Sequence, residues 1–161
     1  MLKKYDKIVT STNNKENKTM FGFGKKVSPA DNMVKLFTQK LDSEGLKYRV
    51  HEERPMVFLS YKGDNFDSLN FTFIFDDDGL SVAVRVYSIA KFESHQLADA
   101  YQFCNQMNME YRWIRFYVDK DNEFTAAMDA VISADTAGDE CHELLCRTVS
   151  IVDDVYGKLY S

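Results

Sequence analysis

The chain has 161 residues, 45% hydrophobic and 28% charged, with a formal net charge of −5. That length suits one domain with an ordinary core, needing neither disulfides nor a metal. No apolar run approaches the ~18 residues of a membrane-crossing helix, and the lysine-bearing start lacks the apolar stretch of a secretory signal, so no membrane partner is expected.

The charge is uneven. Residues 1–27 hold seven lysines against Asp6 and Glu16, a surplus of five positive charges. The other 134 residues carry 13 basic and 23 acidic side chains, a deficit of ten. An acidic body repels phosphate, so its binding to nucleic acid is not expected. Residues 1–27 read as a flexible basic tail, and residues 28–161 as a single domain. Met20 opens MFGFGKK just before that domain, and the sequence suggests it as the native start. The glycines of FGFG are no dinucleotide fingerprint, because no strand precedes them and the third glycine is missing.

Ser28-Pro29-Ala30-Asp31 predicts a helix start, with Ser28 as N-cap and Asp31 completing a capping box. Val34, Phe37 and Leu41 follow at helical spacing, and Gly45 suits the C′ position. Strands are expected next: Tyr48 and Val50, then Met56 to Tyr61. Leu69, Phe71, Phe73 and Phe75 alternate strictly, as do Leu80, Val82, Val84 and Val86. The Asp76-Asp77-Asp78-Gly79 run between them predicts a hairpin. Ser94 reads as the cap of a second helix to about Glu110, with Leu97, Tyr101, Cys104 and Met107 on its apolar side. RWIRFYVDKDNEFTA, Arg112 to Ala126, predicts a further hairpin, with Trp113, Arg115 and Tyr117 on one face and Ile114, Phe116 and Val118 on the other. Its return strand runs to about Ile132. A long closing helix starts between Thr136 and Asp139 and carries Leu145, Val149, Val152, Tyr156 and Leu159. The order is helix, three or four strands, helix, two strands, helix. That is an α+β chain with helices packed on an antiparallel sheet.

Five stretches give this order a family likeness: LDSEGLKY (41–48), FDDDG (75–79), CNQMN (104–108), RWIRFYVDKDNEF (112–124) and DECHELLCRTVSIVDDVY (139–156). Over about residues 31 to 160 the chain resembles the YbjN-like family of bacterial sensory-transduction regulators. The resemblance implies a fold like that of type III secretion chaperones, small acidic dimers that hold other proteins. It implies protein binding as a function and supplies no catalytic residues. Fold alone does not fix function.

The residues themselves point the same way. Asp119, Asp121 and Glu123 have the alternation of a calcium loop, but Phe124 stands where that loop needs glycine, and the flanks are strands. Solvated hairpin tips explain both acidic runs. Cys141 and Cys146 stand about 140° apart on a helix and do not converge on one ion. The three cysteines, Cys104, Cys141 and Cys146, fit free thiols in a reducing cytoplasm. No nucleophile motif accompanies His51, His95 or His142, so no enzyme and no cofactor are expected. Asn105 and Asn108, one helical turn apart, read as a structural polar pair tying the second helix to the next strand. The candidate partner surface is the sheet face with Trp113, Arg115 and Tyr117, extended by Arg85 and Tyr87. Trp, Tyr and Arg are the side chains enriched at protein interfaces. The function expected is a non-enzymatic, cytoplasmic protein-binding module, regulatory or chaperone-like, with another protein as partner and a homodimer as one arrangement. The alternative is a small-molecule sensor with a pocket between sheet and helices.

Overall fold

The computed structural model describes residues 27–160. The segment 1–26, with its lysines, the Met20 start and the FGFG glycines, lies outside the described residues. The elements run α1 (Pro29–Ser43), β1 (Arg49–Val50), β2 (Met56–Tyr61), β3 (Leu69–Phe75), β4 (Ser81–Lys91), α2 (Leu97–Glu110), β5 (Arg115–Val118), β6 (Glu123–Val131) and α3 (Ala137–Leu159). The strands form one antiparallel sheet in the order β1-β2-β3-β4-β6-β5. The last hairpin therefore returns β6 against β4 and leaves β5 at the edge.

Local chemistry sets the element ends. Ser28 Oγ accepts from the Asp31 amide at 3.1 Å, the Asp31 carboxylate accepts from the Ser28 amide at 3.4 Å, and Pro29 opens α1. At the other end Gly45 takes φ +70°, and the Leu46 amide closes on the Leu41 carbonyl. The second helical segment starts differently from the sequence reading. Glu93, not Ser94, is the cap; its amide donates to Gln96 Oε1 at 2.8 Å, and Ser94 lies inside a 3₁₀ turn, Ser94–Gln96, that leads into α2. Leu80 also departs from the alternation: it belongs to the hairpin turn and is 61% exposed, and the strand starts at Ser81.

The three described helices pack on one face of the sheet. Phe37 of α1 meets Phe73 at 4.6 Å between ring centroids and Phe75 at 6.2 Å. Phe103 of α2 meets Phe124 at 5.8 Å, and Phe116 stacks on the same ring at 5.4 Å. Thr148 of α3 reaches Met128 of β6. The inward residues of the strands, Val57, Leu59, Phe71, Phe73, Val82, Val84, Val86 and Met128, are buried with them. Full burial of each such side chain contributes about 1.5–3 kcal/mol.

Polar clamps finish the helix layer. Asp153 of α3 is 4% exposed and accepts from the Asn65 amide at 2.8 Å, which fixes the β2–β3 loop. Gly63 in that loop lies so close that a Cβ there would stand 2.2 Å from Asp153 Oδ1. Asn108 ties α2 to β5: its amide group donates to the Phe116 carbonyl at 2.9 Å, and its Oδ1 accepts from the Phe116 amide at 2.7 Å. Asn105 is turned elsewhere, with its amide group 3.8 Å from Met109 Sδ, so the two asparagines do not work as a pair. Loss of one such doubly bonded group costs about 1–3 kcal/mol. Asn108→Ala is expected to lower the melting temperature measured by circular dichroism, and Asn105→Ala to leave it within a degree or two. Equal effects of the two would contradict this assignment.

Candidate partner-binding face

The opposite face of the sheet carries no helix among the described residues. Alternation along the strands puts on it Arg49 of β1, Met56 and Phe58 of β2, Thr72 and Ile74 of β3, Ala83 and Arg85 of β4, Arg115 and Tyr117 of β5, and Thr125, Ala127 and Asp129 of β6. Thr72, Thr125 and Ala127 are buried although no helix lies over them, because they are small and stand among longer side chains. Tyr87 is 48% exposed at a bulge between Val86 and Ala90, beside this face.

Arg85 holds the centre. Its Nη1 donates to the Val84 and Met128 carbonyls, both at 2.9 Å, and its Nη2 to Asp129 Oδ1 at 2.6 Å. The second carboxylate oxygen of Asp129 accepts from Arg115 Nη2 at 2.7 Å. Partial burial opposes ionisation of Asp129, but the hydrogen bonds from Arg85 and Arg115 outweigh it and hold the pKa below the usual carboxylate value. With Asp129 nearly half exposed, screening limits the net contribution to roughly 1 kcal/mol or less. The network therefore orients two guanidinium groups more than it stabilises the fold.

Trp113 does not belong with these residues. The sequence placed it on one face with Arg115 and Tyr117, but β5 starts only at Arg115, and Trp113 takes φ +79°. That left-handed residue breaks the alternation. Its ring is 66% exposed and lies against Arg147 of α3, 5.4 Å from guanidinium carbon to centroid, on the helix side. Arg85, Arg115 and Tyr117 do share the open face. Arg49, Phe58 and Asp129 stand there too, and sequence reasoning missed all three. A signal existed for Asp129, a lone charge in the otherwise apolar run TAAMDAV, which calls for a cationic neighbour across the sheet.

The other polar groups serve structure. The acid at 119 caps its own turn, accepting from the Asp121 and Glu123 amides. Lys158 of α3 bonds Glu110 and the Tyr111 hydroxyl, which itself bonds Asp154. Burial pushes the Cys104 and Cys146 thiols up to about 11 and Cys141 to about 12, away from nucleophilic thiolate. No group of three or more His, Cys, Asp and Glu among the described residues is placed to hold a metal ion, and no described helix is long and apolar enough to cross a membrane. Two concavities stand out among the described residues. One of about 290 Å³ is lined by Phe92, Gln96, Asp99, Ala100, Phe103 and Leu159; the other, of about 340 Å³, lies between the start of α1 and the β1–β2 turn.

A six-stranded antiparallel sheet with three described helices on one face defines an α+β fold. Solved structures share this fold. One is YbjN from E. coli, described as "a putative transcription regulator", with TM-score 0.57 and 12% identity over 78% of this chain and 89% of that one. Another is a chain of the ExsC–ExsE complex, with TM-score 0.51 and 14% identity over 81% and 94%. The chain belongs to the YbjN family, "Putative bacterial sensory transduction regulator", whose pattern matches residues 34–160. No curated protein matches the chain.

The Asp129 network predicts a pH effect. A folded pKa below the unfolded one gives stability that is present above the unfolded value, about 4, and is lost as pH falls through the folded value. Asp129→Asn is expected to flatten the fall in melting temperature between pH 5 and pH 3. An unchanged acid profile would show that Asp129 gains nothing from the two arginines.

Proposed function

We propose that the chain is a non-enzymatic regulatory or chaperone-like module of the cytoplasm that takes another protein on the helix-free face of its sheet. The observation that carries this reading is the one-sided packing: an ordered sheet face bears Phe58, Ile74, Tyr117 and the oriented Arg85–Asp129–Arg115 group without a helix over it. Partly exposed apolar side chains on a sheet face with no described helix over it suit an interaction site, and Tyr and Arg are frequent hot-spot residues. The likeness to a chain of the ExsC–ExsE complex supports the same reading, since that fold occurs in a complex of two proteins. The module corresponds to residues 28–161, with the basic segment 1–27 outside it. The concavity beside Phe92 and Phe103 is open rather than enclosed, which favours a protein partner over a small-molecule site there.

The test is a tagged pull-down from the native host, read by mass spectrometry. Phe58→Ala/Tyr117→Ala is expected to lose a recurrent partner that the wild type holds, while Trp113→Ala, on the helix side, keeps it. Retention by the double variant, with loss in Trp113→Ala, would move the interface to the helix layer. Melting temperatures of all three forms check that each is folded.

A further inference from the structure

Carboxylates gather at the turns of this molecule: Asp76, Asp77 and Asp78 between β3 and β4, Asp119 and Asp121 between β5 and β6. The middle of the helix-free face has the opposite sign. Strand register makes one row across the whole sheet, Arg49–Phe58–Thr72–Arg85–Ala127–Arg115, one residue per strand. Three arginines thus stand on one line, in a body where acids outnumber bases 23 to 13. Strands lie about 4.8 Å apart, which puts Arg85 roughly 14 Å from Arg49 and roughly 10 Å from Arg115. Asp129 meets Arg85 and Arg115 but is one carboxylate for two guanidinium groups. Arg49 lies over the Phe58 ring at 5.1 Å. Glu123 is engaged by Lys91 at 3.7 Å and by the Ser88 hydroxyl.

Resting on the protein-binding reading of this face, we propose that its occupant is an acidic segment of a partner protein. Carboxylates of that segment meet Arg49 and Arg115, and its apolar side chains cover Phe58, Met56 and Ile74. Guanidinium groups are well matched to carboxylates, because each offers paired N–H donors to one of them, a geometry lysine lacks. Of the acids at the hairpin tips, Asp119 reaches this face, at Thr125, and its carboxylate is already engaged by the Asp121 and Glu123 amides; the others belong to the turns beyond the strand ends. Sign also decides between occupants. The chain's own segment 1–27 carries seven lysines and repels the row. A second copy would bring the same arginine-rich row, with Asp129 already engaged, and not a set of free carboxylates.

Selection of a random peptide display library on the full chain tests this, with Arg49→Gln/Arg115→Gln as the parallel bait. Arg85 is left intact because it bonds backbone carbonyls. Wild type is expected to enrich peptides that combine Asp or Glu with Phe, Leu, Ile or Trp. The double variant is expected to lose that enrichment by about tenfold or more, as removal of two charge-assisted contacts implies, with its melting temperature close to wild type. Acidic peptides enriched equally by both baits would assign them to the lysine-rich segment and overturn the proposal. Neutral or basic peptides that are lost on Phe58→Ala/Tyr117→Ala would keep the binding face and overturn its acidic partner. Peptides lost on neither variant would overturn both, and enrichment of none would rule against a linear acidic segment.

Discussion

A six-stranded sheet has two faces, and the described helices of this chain cover one. Everything else in the structure follows from that constraint. Phe37, Met107, Leu145 and Val149 are spent on the inner face, where they are almost fully buried against the strand residues. The outer face must then remain ordered without a helix. It does so by mixing small residues that neighbours can shade, such as Thr72, Thr125 and Ala127, with long ones that hold each other, as Arg85, Asp129 and Arg115 do. A purely apolar face of this size would aggregate; a purely charged one would have little to offer a partner.

Arg85 shows how the two faces are joined. It is only lightly exposed, and two of its contacts are to backbone carbonyls of β4 and β6. Its guanidinium is thus fixed by the sheet itself, and through Asp129 it fixes Arg115. Rigid placement lowers the entropy lost when a partner binds. The same economy appears on the helix side, where Asp153 and Asn108 use single side chains to lock a loop and a strand to helices.

Much of this was legible in the sequence because it is local. Strict alternation in β3 and β4, the capping box at Ser28 and the acidic hairpin at 76–79 each declare themselves within a few residues. The face of Arg115 and Tyr117 was legible for the same reason. What stayed hidden is non-local or backbone-borne. The left-handed φ of Trp113 has no residue-type signal, since a bulky aromatic rarely adopts it, and it removed Trp113 from the face assigned to it. The arginine row depends on register between β1, β4 and β5, which lie far apart in the chain: β2 and β3 join β1 to β4, and β6 inserts between β4 and β5. The Asn105–Asn108 pair shows the limit of spacing arguments, because neighbours on a helix diverge once one of them finds a strand.

The most direct test of the central claim is hydroxyl-radical footprinting of the full-length chain, alone and with the partner purified from its host. One-sided packing with a partner on the open face predicts that Phe58, Tyr87 and Tyr117 are oxidised in the free protein and protected in the complex, while Trp113 changes little. Protection of Trp113 and the exposed side of α3, with Phe58 and Tyr117 unchanged, would contradict the account.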